Sequence, residues 1–206
     1  MTDYFAVLDE PRRPWLDGES LKSRFLAKSG DVHPDRLHQA PREEQDAATQ
    51  RYAELNAAYN CLREPKDRLR HLLLLEHGAK PIGIDSVPGE LMELFMEAGI
   101  LCREVDAFLA ERSRISSPLV KVQMFERGMD WTDKLNEFQR RLNLRRTTLE
   151  ENLKRMNPLW DTAPPVSDAA RAESLPLDVL EEGYRTFSYL ARWTGQLQER
   201  AVKLAL

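Results

Sequence analysis

The sequence predicts an all-α fold in which an N-terminal helical hairpin precedes an antiparallel three-helix bundle. Apolar residues recur every three or four positions on both sides of residues 80–89, which is the period of an amphipathic helix. No alternating apolar run is long enough to indicate a strand. Residues 80–89 are rich in proline and glycine, so we expect an N-terminal domain at 1–79, a linker at 80–89 and a bundle at 90–206.

The N-terminal domain contains two amphipathic helices that flank the tripeptide His33-Pro34-Asp35. Leu21 and Phe25 are the main apolar residues of the first helix. The apolar stripe of the second consists of Ala48, Tyr52, Leu55, Tyr59 and Leu62. Helices joined by a connection of this length pack antiparallel, which places the tripeptide at the exposed tip of a hairpin. We also expect Gly30 to end the first helix early.

The same periodicity predicts the helices of the bundle. We expect the first at about 90–111, the second at 118–155 and the third at 177–204. Asn157-Pro158 should end the second helix, because the residue before a proline disfavours the helical conformation. The stretch from there to Pro176 is predicted to be a long loop.

Composition and charge restrict the function. Hydrophobic residues make up 42% of the 206, enough for packed cores, and the net charge of −4 argues against bulk nucleic-acid binding. No apolar stretch approaches the roughly 20 residues that span a bilayer, and no secretory signal is visible, so we expect no membrane partner and a cytoplasmic location. Cys61 and Cys102 are interpreted as reduced, buried thiols. Without zinc-ligand spacing or a catalytic motif, we expect no metal, cofactor or enzymatic activity.

Four arginines on the second bundle helix could indicate a nucleic-acid patch. They are Arg140, Arg141, Arg145 and Arg146. Glu150 and Glu151 lie four and five residues after Arg146. Pairing between arginines and glutamates on a solvated face is therefore the favoured interpretation.

Short motifs in a fixed order link the N-terminal domain to a known family. The run Asp3-Tyr4-Phe5-Ala6-Val7-Leu8 opens the chain, the His-Pro-Asp tripeptide follows the first hairpin helix, and Leu55-Asn56-Ala57-Ala58-Tyr59-Asn60-Cys61-Leu62-Arg63-Glu64-Pro65 ends the second. These motifs resemble the J domain of DnaJ-type co-chaperones. The leucine-rich run that ends at His77-Gly78 is similar to the fourth helix of the HscB subfamily.

The bundle extends the resemblance, because a J domain followed by a three-helix bundle is the layout of HscB, the co-chaperone of iron–sulfur cluster assembly. Leu91-Met92, Trp160-Asp161 and the run Tyr189-Leu190-Ala191-Arg192-Trp193 resemble HscB motifs at corresponding places. The resemblance implies a co-chaperone that is not an enzyme and that stimulates ATP hydrolysis by a DnaK/HscA-type chaperone. It also implies that the bundle binds an iron–sulfur scaffold client of the IscU type.

The resemblance further implies which residues touch the chaperone ATPase. They are His33, Pro34, Asp35, Lys22, Arg24, Lys28 and Arg36. Asp35 would form an ion pair with an arginine of the ATPase. Two plainer interpretations stay open: an ordinary loop in which Pro34 stops a helix and Asp35 caps the turn, and a solvated face for the cations of the first helix.

The client-binding residues that the resemblance implies are Leu91, Met92, Phe95 and Tyr189. Without the resemblance, packing in the bundle core is the favoured interpretation of all four. Both can hold, with Leu91 or Phe95 inward and Met92 outward, since consecutive helical residues point about 100° apart.

Several positions depart from the family pattern, namely Lys28, Gly30, Asp31, Val32, Gly99 and Arg103. Lys28 replaces a usual leucine and Asp31 adds a negative charge beside the tripeptide, so we expect weaker coupling to the ATPase. Gly99 and Arg103 stand where the family has glutamates, so the client differs or binds mainly by apolar contact. The alternative functions are therefore a J-domain protein for another client, or a helical interaction protein whose J domain has lost ATPase coupling.

Overall fold

A computed structural model describes residues 2–32, 41–78 and 87–205 of the chain. Within these ranges the regular secondary structure is helical and no strand occurs, which confirms the all-α prediction. The helices are α1 Tyr4–Val7, α2 Gly18–Asp31, α3 Arg42–Arg63, α4 Pro65–His77, α5 Met92–Ser113, α6 Pro118–Asp161, α7 Ala170–Ser174 and α8 Leu177–Ala205. A 3₁₀ turn, Gly89–Leu91, leads into α5.

The chain divides into two compact units. The N-terminal unit comprises residues 1–82 and 150–184, and the bundle unit comprises 83–149 and 185–206. Both α6 and α8 therefore contribute to each unit, whereas the sequence pattern suggested one cut at residues 80–89. The physical reason is the length of α6, since a helix of 44 residues can supply side chains to both units. Which segments fold independently stays a prediction.

The N-terminal helices begin and end at residues suited to those positions. The Asp3 carboxylate accepts hydrogen bonds from two backbone N–H groups of α1, and the Asp17 carboxylate accepts one from the backbone N–H of Ser20 at 2.9 Å. The latter bond lowers the pKa of Asp17. Pro65 opens α4, where its missing N–H costs nothing. Gly78 ends α4 at φ +69°, a left-handed conformation that glycine adopts without steric cost.

The predicted hairpin forms from α2 and α3. The rings of Phe25 and Tyr59 stack with centroids 4.5 Å apart, and Leu21 and Leu55 are almost fully buried. The expectation that Gly30 ends α2 early was wrong, because the helix continues to Asp31. Its last turn requires no left-handed residue, so glycine is not needed to stop it.

The expected end of the second bundle helix was also wrong, because α6 runs through Pro158 to Asp161. The Asn157 side chain accepts a hydrogen bond from the Trp15 N–H at 3.1 Å and donates one to the Trp15 carbonyl at 3.0 Å. These tertiary bonds hold the last turn, where a proline removes only one helical hydrogen bond. The predicted loop up to Pro176 contains a further short helix, α7.

The bundle unit is built around apolar side chains of α5, α6 and α8, together with Leu91. The buried members are Leu91, Ala98, Cys102, Val105, Phe108, Met124, Leu135, Phe138, Leu142, Tyr189, Leu190, Trp193, Leu197 and Leu204. Most successive members along a helix are three, four or seven residues apart, as the sequence pattern predicts. This packing leaves other helix faces exposed.

Ion pairs join neighbouring helices around this core. Arg141 bonds to Glu97 through both guanidinium N–H groups, and Arg145 pairs with Glu90. On α6 itself, Arg140 pairs with a glutamate one turn earlier. These three arginines thus have partners that the sequence analysis did not name, and the pairings support its interpretation as a solvated, charge-compensated face.

Candidate functional site

The tip of the hairpin is the first candidate surface. His33, Pro34, Asp35 and Arg36 lie outside the described residues. On either side of them, α2 ends at Asp31 and α3 begins at Arg42. The tripeptide therefore occurs in the connection between two packed helices.

The cations of α2 form the second part of this candidate surface. Lys22 is exposed, whereas Arg24 and Lys28 contact the turn that follows α1. Arg24 Nε lies 3.2 Å from a carboxylate oxygen of Glu10, and Lys28 Nζ lies 2.6 Å from Asp9 Oδ2. The hydrogen bond from Lys28 lowers the pKa of the Asp9 carboxyl. Two of the three cations thus have partners within the domain.

The geometry of the turn aims both acidic residues at α2. Asp9 adopts φ +54°, a left-handed conformation that aspartate tolerates better than most residues. Its backbone carbonyl accepts a hydrogen bond from Arg24 while its carboxylate faces Lys28. Glu10 is held by a 2.8 Å hydrogen bond from its N–H to the Phe5 carbonyl, and its side chain is only 4% exposed. No sequence pattern predicts this arrangement, because it depends on the unusual φ angle of Asp9.

An exposed apolar stripe on α5 is the third candidate surface. Its members are Met92, Phe95, Met96 and Ile100, which are 42–56% exposed. Spacings of three and four residues keep them on one helix face. Exposed apolar patches mark interaction sites, and methionine adapts readily to different partners. Met92 and Phe95 belong to the residues predicted to bind a client, whereas Met96 and Ile100 were missed although their spacing could have revealed them.

The other two predicted client residues lie deeper. Leu91 is fully buried and Tyr189 is 7% exposed, so both contribute to packing of the bundle unit. Tyr189 also lines a groove of about 230 Å³ together with Phe95 and Trp193. The Trp193 ring lies 5.7 Å from that of Tyr189 and 6.4 Å from that of Phe95, measured between centroids. The structure therefore brings two of the four predicted residues, Phe95 and Tyr189, to one groove. Met92 is exposed on α5 and Leu91 is buried in the core.

Positive charge borders the groove. Arg192 and Arg200 are among its lining residues, and the Arg103 guanidinium lies over Gly99, 3.6 Å from where a Cβ atom would stand. Arg200 is paired with Asp106 at 2.6 Å. The groove is therefore lined by aromatic rings and bordered by guanidinium groups.

Within residues 2–32, 41–78 and 87–205, no group of three histidine, cysteine or acidic side chains could hold a metal ion. Both cysteines are free, and burial raises the pKa of the Cys61 thiol to about 11. Cys102 is buried as expected, whereas Cys61 is only half-buried. None of the helices in these ranges is long and apolar enough to cross a bilayer.

No protein-family model matches the chain. The chaperone HscB from Vibrio cholerae is similar over 96% of both chains, at 21% identity and a TM-score of 0.54. The human co-chaperone protein HscB is similar over 98% of this chain and 81% of its own, at 19% identity and a TM-score of 0.57. The chain has the HscB fold.

The HscB fold assigns the candidate surfaces to its two parts. HscB structures have an N-terminal J domain and a C-terminal helical bundle, so the hairpin of α2 and α3 belongs to a J domain. The apolar stripe of α5 belongs to the bundle. The fold-class prediction is confirmed for both parts.

Proposed function

We propose that this protein is a J-domain co-chaperone that stimulates ATP hydrolysis by a DnaK/HscA-type chaperone and delivers an iron–sulfur scaffold client to it. One observation carries the proposal. A His-Pro-Asp tripeptide occurs in the connection between α2 and α3 of a chain that has the HscB fold over nearly its whole length. The tripeptide alone would be weak support, and a fold does not by itself imply a particular activity.

The J domain would act by contact rather than by acid–base chemistry. Asp35 would pair with an arginine of the ATPase, while Lys22, Arg24, Lys28 and Arg36 would meet an acidic surface. Charges of this kind steer association and fix the orientation of the partners more than they add affinity.

Single-turnover hydrolysis by a DnaK/HscA-type ATPase tests this part of the proposal. We expect the full-length chain to accelerate hydrolysis and Asp35→Asn to abolish the acceleration at saturating protein. Asp46→Asn is the matched control, because it removes the same charge from an exposed position of α3 and should keep full stimulation. Equal stimulation by wild type and Asp35→Asn would refute the co-chaperone proposal and favour an interaction protein without ATPase coupling.

The client would bind the apolar stripe of α5. Met92 and Phe95 are both partly exposed, and Phe95 also contacts the buried Trp193 ring, so a client can bind here without opening the core. An IscU-type scaffold is the client that the HscB resemblance implies. Leu91 and Tyr189 would contribute mainly through packing in the bundle core.

Titration calorimetry of the full-length chain with an IscU-type scaffold tests the client. We expect Phe95→Ala to weaken binding by about tenfold or more, since buried aromatic contacts dominate interfaces. Phe125→Ala is a close control, because Phe125 is 69% exposed on α6 of the same unit. Met92→Ala and Met129→Ala form a second matched pair, at 47% and 56% exposure.

A J-domain protein for a different client is the second candidate. The basic border of the groove, with Arg103 and Arg192, favours this candidate. The family has glutamates where this chain has Gly99 and Arg103, so a client suited to those glutamates would be opposed by the arginines here. Stimulation of the ATPase combined with no scaffold binding tighter than millimolar would select this candidate over the first.

A further inference from the structure

The ion pairs between α2 and the turn after α1 involve cations that the proposed function assigns to ATPase binding. Asp9 and Glu10 engage Arg24 and Lys28, two of the cations assigned to ATPase binding. Lys22, the third cation, is exposed and forms no ion pair with another described residue. The turn and an acidic partner would therefore compete for the same cations.

The contacts are suited to competition rather than to permanent burial. Lys28 is 30% exposed and Asp9 67% exposed, so solvent and other charges reach the pair readily. Pairs at such exposure are weak and screened by salt, which means that a partner carboxylate can displace Asp9 at small cost. Arg24 is about half exposed, but its partner Glu10 is almost buried, so this second pair is harder to displace than the pair of Asp9 and Lys28.

We infer that the Asp9–Glu10 turn is a built-in competitor that shares the cations of α2 and lowers their availability to an acidic chaperone surface. The inference rests on the proposed co-chaperone function. The partner that fits such a surface presents several acidic groups together, because a single carboxylate gains little by replacing Asp9. A partner surface with several acidic groups can therefore displace the turn from the cations, whereas an isolated negative charge cannot.

Asp9→Asn is the most informative variant. Asparagine adopts positive φ as readily as aspartate, so the backbone of the turn and its carbonyl contact with Arg24 are retained while the charge facing Lys28 is lost. The experiment follows association of the full-length chain with a DnaK/HscA-type ATPase by stopped flow at several salt concentrations. Thermal unfolding of each variant is measured in parallel.

We expect Asp9→Asn to raise the association rate about threefold at low salt and to steepen its salt dependence, because one more cation becomes available for steering. Asp133→Asn controls for net charge, since it removes the same charge from an exposed position of α6. In a Lys28→Met background, Asp9→Asn should no longer raise the rate, because the cation that Asp9 screens is gone.

Two results would overturn the inference while leaving the proposed function intact: a rate for Asp9→Asn equal to that of Asp133→Asn, or an increase that persists in the Lys28→Met background. Wild-type chain that neither associates with the ATPase nor accelerates its hydrolysis would overturn both. A persistent rate increase accompanied by a lower melting temperature would point to loosening of the turn, and it too counts against competition.

Discussion

The two units hold their charged side chains in different ways. In the N-terminal unit, the Arg171 and Glu76 side chains are 8% and 2% exposed and meet through two hydrogen bonds of 2.8 and 3.0 Å. In the bundle unit, the comparable pair of Arg141 and Glu97 is 44% and 36% exposed. The same chemistry is thus buried in one unit and solvated in the other. Removing one partner of a solvated pair costs little stability, because water hydrates the remaining charge. Removing one partner of a buried pair leaves a charge with neither water nor a counter-charge, which costs much more.

The buried pair explains why residues 157–176 are ordered around a helix instead of forming a plain loop. Arg171 lies on α7 and joins it to Glu76 of α4, and it also donates a 2.7 Å hydrogen bond to the Pro164 carbonyl. One side chain therefore fixes both the preceding turn and the short helix. The bundle unit has no need of such a clamp, because α5, α6 and α8 bury a continuous apolar core.

Removing Arg171 should have the largest effect. Arg171→Ala leaves the Glu76 carboxylate buried without its partner, which we expect to lower the free energy of unfolding by about 3–5 kcal/mol. Urea denaturation monitored by circular dichroism measures this loss. Arg141→Ala in the bundle unit is the matched control and should cost at most about 1 kcal/mol.

A double variant sharpens the same comparison. Arg171→Met with Glu76→Leu removes both charges and keeps apolar volume, so it should recover most of the stability lost in Arg171→Ala. A double variant as unstable as the single one would show that the other contact of Arg171, with Pro164, and not the buried charge, accounts for the loss.

Removing Asn157 should have an intermediate effect. Asn157→Ala leaves the N–H and carbonyl of Trp15 without their partners, at an expected cost of about 1–3 kcal/mol. Asn143→Ala, on an exposed turn of the same helix, should change stability by less than half as much. Equal losses in the two variants would contradict the view that the Trp15 contact secures the end of α6.

These contacts also show where prediction from the sequence stops. The helices of the hairpin and of the bundle were predictable because their core positions repeat, as at Leu135, Phe138 and Leu142. The end of α6 was not, because the bond that holds it reaches from Asn157 to a residue 142 positions away. A local rule about proline could not anticipate a distant partner.

The candidate site divides in the same way. The family resemblance pointed to Met92 and Phe95, and helical spacing from Met92 would have added Met96, which is also exposed. Neither could separate Tyr189 from the core, because an aromatic-rich stretch does not reveal which face packs. The pairing of Lys28 with Asp9 was unpredictable, since it depends on a left-handed backbone angle.

The smallest expected effect concerns a titratable group in the N-terminal unit. His71 is buried, stacks on Tyr4 at 4.6 Å between centroids, and accepts a 3.1 Å hydrogen bond from the Tyr4 N–H through Nε2. Burial lowers the pKa of His71 from its ordinary value of 6.5; Asp3 opposes this shift and Arg12 adds to it. The folded state therefore prefers the neutral imidazole, which alone can accept that hydrogen bond.

The sign of the pH dependence follows from this lowered pKa. Above pH 6.5 the full contribution is present, and it is lost as the pH falls towards the folded-state pKa, because the unfolded chain then binds a proton that the folded chain refuses. Urea midpoints should fall more between pH 7.5 and 5.5 for wild type than for His71→Gln. His77→Gln, which removes an exposed histidine from the same helix, should keep the wild-type dependence. If His71→Gln retains the full pH dependence, other groups cause it and the imidazole is not kept neutral by its burial.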